Sequence, residues 1–203
     1  MTINQVRPLD LVASLVCLTM AGSAVLSCTA TGLRTVTPSD APPDISYRMA
    51  NDSPAHRGIT LGGRGFQGYE IIAAADGVVV FVSHDANRVG NHVRIHHGLD
   101  SNQQSIYTDH YHISRELVKP GDEVRRGQTI GFMGAHYHFI VLKEESPKKF
   151  IALDPKDYWF GIDLYKEELT RGLRTGSFVI PCFDPNVSYQ KEPIRFTYPA
   201  KCN

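Results

Sequence analysis

The chain has 203 residues, enough for one medium domain plus appendages. Lys+Arg and Asp+Glu both total 21, so there is no global basic field of the kind that nucleic-acid binding requires. A hydrophobic content of 42% with Gly and Pro spread along the chain suits a globular, β-rich domain.

In chain order, Leu11 to Ser27 (LVASLVCLTMAGSAVLS) is an uncharged, mostly apolar run, short for a membrane span and suited to a signal-peptide core. It ends Val25-Leu26-Ser27-Cys28, which resembles a bacterial lipobox with Cys28 as the lipidated residue. Cleavage near Ala24 and a retained single anchor are the alternatives. All three put the rest of the chain outside the cytoplasm. Residues 28–55 are rich in Thr, Ser, Pro and Asp without an apolar period and read as a linker, with a short ordered stretch around Ile45 to Met49.

From residue 56 the pattern changes. Tyr69 to Ala73 is a candidate strand, Ala74 to Gly77 a turn, and Val78 to Val82 an apolar run read as a strand buried on both faces. His92 to His96 and Ser105 to Ile113 alternate as half-buried antiparallel strands do. Two further short strands follow the turn at Pro120-Gly121, the second ending at Met133-Gly134. Short strands, frequent turns and no helical period predict an all-β core. Past Leu153-Asp154-Pro155, Tyr158-Trp159-Phe160 is an aromatic cluster, Asp163 to Arg171 could form a short helix, and the remainder is an irregular tail. Cys17 lies in the signal and Cys28 would be acylated, which leaves Cys182 and Cys202 as an even pair. An internal disulfide is the expectation, with free thiols or an intermolecular bond as the alternatives.

The chemistry concentrates at His136-Tyr137-His138, followed by Phe139-Ile140-Val141-Leu142. Side chains at i and i+2 of a strand share a face, so both imidazoles aim one way while Tyr137 faces the other. Such a pair can place a metal ligand beside an acid/base group, and His56 and His112 upstream give it partners. An isolated His-x-His is equally a pair of surface or satisfied core histidines.

The order of motifs resembles the M23 family of zinc peptidases, the lysostaphin and LytM type, from His56 to Pro155. His56-Arg57-Gly58-Ile59 resembles the opening His-x-Gly-Ile-Asp, and Ala74-Ala75-Asp76-Gly77-x-Val79 the Ala-Ala-Asp-Gly-x-Val pair. Gly90-Asn91-His92-Val93, His97-Gly98 and Tyr111-His112-Ile113-Ser114 follow, the last like Tyr-x-His-Leu-Ser with one residue fewer. Val118-Lys119-Pro120-Gly121 through Gly131, His136-Tyr137-His138-Phe139 and Leu153-Asp154-Pro155 complete the set.

The resemblance implies Zn2+ held by His56, position 60 and His138, with His112 and His136 in acid/base and oxyanion roles. A zinc ion with three protein ligands keeps a fourth position for water and activates it for attack on a peptide carbonyl. Position 60, however, is Thr60 where the family has Asp. A neutral hydroxyl is a poor zinc ligand, and its loss of charge should cost at least the 10–100-fold typical of a lost second-shell partner. The Gly-, Ser- and Thr-rich loop that the family carries before His-x-His is shortened to Gly134-Ala135. Among Asp52, Asp109 and His110 as substitute ligands, His110 is the best placed, because strict alternation puts it on the face of His112.

The expected organisation is a lipoprotein-type signal peptide over 1–27, a linker over 28–55, an M23-like peptidase domain over 56–157, and a C-terminal extension over 158–203 with a Cys182–Cys202 disulfide. The expected fold is an antiparallel β-sandwich or β-roll of the duplicated-hybrid-motif type. The implied function is zinc-dependent hydrolysis of peptide bonds in peptidoglycan cross-bridges or stem peptides. The alternative is an inactive M23-like domain that binds cell wall or regulates a partner hydrolase. The implied place is the cell envelope, membrane-anchored through lipid or periplasmic.

Overall fold

The computed structural model describes residues 44–49, 57–62, 66–85, 90–161 and 180–202. The signal run, Cys28, most of the linker, His56 and the segment Asp163 to Arg171 expected as a helix lie outside the described residues. Nine strands are described: β1 (Asp44–Met49), β2 (Arg57–Gly62), β3 (Glu70–Ile72), β4 (Gly77–Asp85), β5 (Gly90–Leu99), β6 (Ser105–Glu116), β7 (Glu123–Val124), β8 (Thr129–Ser146) and β9 (Lys149–Leu153). All pair antiparallel in one sheet of order β1-β2-β8-β6-β5-β4-β7, with β3 and β9 also on β8. The fold is all-β, as the alternating pattern predicts.

Strand β8 is the spine. It pairs with β6 along its length on one side, and with β3, β2 and β9 in turn on the other. Its period-2 alternation sorts residues cleanly. Tyr137, Phe139 and Val141 are fully buried on one face, opposite Leu61 and Ile59 of β2, while His136 and His138 go to the other.

The buried face is closed by the C-terminal extension. Phe139 stacks on Trp159 at 5.8 Å between ring centroids and meets Phe196 edge-on at 6.0 Å. Ile180, Ile194, Tyr198 and Ala200 join the same core. Backbone bonds stitch the extension to the sheet, among them Ile72 N–H to Pro199 O (2.9 Å), Thr197 N–H to Ala74 O (3.0 Å) and Lys201 N–H to Glu70 O (3.1 Å). The half-buried guanidinium of Arg126 donates to Ala74 O and Arg195 O and lies over the Tyr189 ring, tying the same segments together. Cys182 and Cys202 are disulfide-bonded across a separation of 20 residues. Each fully buried Phe or Leu on this face contributes about 1.5–3 kcal/mol, so the extension is part of the core, not an appendage to it.

One strand departs from its expectation. Val78 to Val82 was expected to be buried on both faces, yet only Val79 is fully inside; Val78, Val80 and Phe81 are 39–46% exposed. The strand lies near the sheet margin between β5 and the two-residue β7, and a bulge between Val79 and Phe81 breaks its register. Val79 enters the buried core, while on the more open side Phe81 meets the His92 ring at 5.2 Å.

Candidate metal centre

Two cross-strand pairs frame the site: Thr60 of β2 lies opposite His138, and Gly62 opposite His136. Directly opposed residues of antiparallel strands share a face, so Thr60, His136 and His138 all project away from the core. The Thr60 hydroxyl is 2.7 Å from His138 Nδ1, within hydrogen-bond reach.

His112 reaches this face through an irregularity. Tyr111 pairs with His138 and Ile113 with Met133, so His112 alone on β6 faces Gly134 to Tyr137 on β8. His112 adopts φ 62°, the left-handed region, which turns its side chain away from the core face that alternation would assign. Glycines on both neighbouring strands make room for the bulge. A Cβ on Gly134 would come within 2.7 Å of His112 O, and one on Gly90 within 3.1 Å of His112 Cα.

The three imidazoles converge. Ring centroids are 4.0 Å apart for His112–His136, 4.9 Å for His112–His138 and 5.1 Å for His136–His138. One nitrogen from each lies within 4.8 Å of the others. His136 is exposed and its two partners half-buried, so the cluster opens to solvent. Its chemistry suits a divalent metal: three neutral nitrogen donors in a tight group with an open side, the character of catalytic zinc sites. His112, His136 and His138, expected to act together, are brought together.

His110 does not join them, which corrects its expectation as a substitute ligand. It is fully buried on the opposite face, with Nδ1 2.7 Å from Tyr137 OH and Nε2 2.9 Å from Thr108 Oγ1. The physical reason is the bulge: alternation holds up to Tyr111, then His112 turns over, so His110 and His112 face opposite ways. Burial, reinforced by His97 and His92 nearby, pushes the His110 imidazole down to about 3. It is a neutral core histidine.

Asp109 is equally committed. Arg94 donates to both its oxygens at 2.6 and 2.8 Å, Tyr111 OH donates at 2.9 Å, and His92 Nε2 lies 3.0 Å away. Burial alone would raise its carboxyl, but Arg94 and His92 outweigh it and hold the group at about 2. The Tyr111 ring stacks on the buried His92 at 4.2 Å. Burial, with Asp109 adding, raises the Tyr111 phenol well above its usual range, so it stays a donor. This network sits next to the cluster, since Tyr111 opposes His138. The sequence signal for it was the alternation of Asp109 and Tyr111 in β6, which identifies their face but not their partners.

Residues 54–148 match the model of peptidase family M23. Over 83 residues the chain is 39% identical to the peptidoglycan DD-endopeptidase ShyC of Vibrio cholerae, covering 36% of this chain and 18% of that protein. It is 35% identical over 84 residues to an uncharacterized metalloprotease of Haemophilus influenzae, covering 37% of this chain and 17% of the relative. The chain therefore spans less than a fifth of the length of these curated relatives. Among solved structures, the catalytic domain of lysostaphin from Staphylococcus simulans aligns at 22% identity with a TM-score of 0.42, covering 58% of this chain and 86% of that one. The likeness to peptidase family M23 is carried by residues 54–148, a little under half of the chain.

Proposed function

We propose that the protein is a zinc-dependent endopeptidase of the cell envelope that hydrolyses peptide bonds in peptidoglycan. The observation that carries the reading is the solvent-open cluster of His112, His136 and His138 beside Thr60, inside the segment that matches a peptidase family. The substrate class comes from relatives named as peptidoglycan DD-endopeptidases. Extracytoplasmic action, through a signal peptide and lipid on Cys28, follows from the apolar run at Leu11 to Ser27.

A bound zinc supplies Lewis-acid polarisation of the scissile carbonyl and activation of water. The residues of the chain supply the rest. The imidazoles present their nitrogens to the open side of the sheet, where an extended peptide can reach them. Thr60 fixes the orientation of the His138 ring through Nδ1. The stacked Tyr111 and His92, with the Asp109–Arg94 pair beneath, make a firm floor next to His138.

A second reading is favoured by one specific feature. Thr60 stands where the family has an acidic ligand, as expected of a wall-binding or partner-regulating domain that no longer hydrolyses. Digestion of purified peptidoglycan, followed by analysis of released fragments, separates the two. The proposal predicts new amino termini, lost on chelation and restored by zinc. Binding to peptidoglycan without cleavage, by protein loaded with zinc, would make the second reading correct.

A further inference from the structure

We propose that the cavity between the C-terminal extension and the sheet margin at β4 and β7 is a second binding site, which takes a carboxylate of a peptidoglycan stem peptide. The proposal rests on the reading of the protein as a peptidoglycan hydrolase and gives the chain a grip on that polymer away from the histidine cluster.

The space comes first. The cavity measures about 980 Å³ and opens between residues 75–78 at the start of β4, residues 123–128 of β7 and the turn after it, and Phe183, Tyr189 and Ile194 of the extension. That is the upper end of the roughly 300–1,000 Å³ usual for ligand sites, enough for a peptide segment with its terminal group. Thr60, His112, His136 and His138 are not among its lining residues. Its wall is fixed before any ligand arrives. Arg126 N–H donates to Asp76 Oδ1 at 2.8 Å and Gly127 N–H to Ala73 O at 2.8 Å, which ties the turn after β7 to the connection between β3 and β4. Gly127 has φ 79°, and a Cβ there would come within 2.2 Å of the Phe183 ring, which packs on the bare backbone. A preformed wall costs a ligand little ordering.

Charge is the second observation. The chain as a whole balances 21 basic against 21 acidic residues. The cavity does not: it gathers four cations, Arg125, Arg126, Lys191 and Arg195, against two carboxylates, Asp76 and Glu123. His97 adds no charge at neutral pH, since burial holds its imidazole down at about 4. A cleft with an excess of one sign focuses its field and concentrates ligands of the other sign.

Arg126 is the third. Its half-buried guanidinium lies 4.4 Å from the Tyr189 ring centroid and donates to Ala74 O and Arg195 O, both neutral acceptors. Among the described residues it belongs to none of the ion pairs. Burial pushes the group down to about 10, further than Tyr189 and Asp76 nearby restore it. A guanidinium offers its N–H donors in a planar fork that matches a carboxylate with two parallel bonds. The two carbonyls use donors but neutralise no charge, so an entering carboxylate gains a pairing that the fold itself does not supply.

The test is proton–nitrogen NMR of the isotope-labelled full chain, titrated with a monomeric muropeptide, a disaccharide carrying one stem peptide with free carboxylates. The expected result is saturable shifts at the amides of Gly77, Gly98 and Gly127, with or without zinc. Arg125 and Lys191 are exposed, so the double variant Arg125→Gln with Lys191→Gln keeps the fold, which its melting temperature checks. Its affinity at the cavity should fall about tenfold, since an exposed charge pair contributes up to roughly fivefold. Amidating the carboxylates of the muropeptide should abolish the same shifts in the wild type, a comparison that needs no variant and decides the matter if the double variant melts early. No shifts at these amides, unchanged affinity in a folded double variant, unchanged affinity after amidation, or equal affinity for inorganic phosphate would each overturn the proposal. Peptidoglycan digestion by the zinc-loaded wild type is scored separately. Cavity binding without cleavage sinks the proposed activity alone, and cleavage with unmoved cavity amides sinks this site alone.

Discussion

The two faces of the β6–β8 pair carry the same residue type to opposite ends. His110 and His112 are two positions apart on one strand. The first is sealed in the core between Thr108 and Tyr137, both nitrogens satisfied and the ring held neutral. The second is turned out by a left-handed bulge to join His136 and His138. Residue type therefore does not decide function here. What decides it is whether the ring nitrogens meet hydrogen-bond partners inside or other imidazoles at the surface.

The two faces should respond to different perturbations. The largest effect is expected from the disulfide that closes the extension over the core face. Opening a loop of this size should cost about 3 kcal/mol in the chain-entropy model. Reduction should therefore lower the melting temperature while leaving zinc affinity near its starting value, because the cluster is on the other face. An unchanged melting temperature would show that the bridge adds nothing to the cap.

A more gradual effect, smaller per pH unit, is expected from acid. His110 takes up its proton near 3 in the folded chain and near the ordinary 6.5 when unfolded. Between those values the unfolded chain binds more protons, so stability falls as pH drops from about 6.5 towards 3. The slope is on the order of 1 kcal/mol per pH unit from this residue. Asp109 has the same sign in a lower window. Its folded value near 2 means that its contribution, present above about 4, is lost as pH falls through 2. Melting temperatures of the metal-free protein against pH should show a shallower fall between pH 6.5 and 4 in His110→Gln than in the wild type. Equal slopes would mean that His110 does not titrate as a buried neutral group.

Much of this was legible in the sequence, and the omissions have physical causes. Alternation in His136-Tyr137-His138 correctly assigns the faces of all three residues, because period 2 is local. The resemblance groups position 60 with His138, and the register sets Thr60 opposite His138. The bulge at His112 was not legible, because it is set by four residues of β8 facing one of β6, a long-range pairing. The run Val78 to Val82 misled because apolar composition cannot distinguish a central strand from one near a sheet margin. The cap was also hidden: Ile194 to Ala200 has no regular period, and its role comes from backbone bonds to Tyr158, Glu70, Ile72 and Ala74 far away in sequence.

The most direct test of the account is X-ray absorption at the zinc edge on the full chain loaded with one equivalent of zinc. The multiple scattering from imidazole rings counts histidine ligands without reference to activity. Imidazole scattering around the bound zinc, weakened in His138→Ala, is the predicted result. A spectrum without imidazole scattering, or one unchanged in that variant, would contradict it.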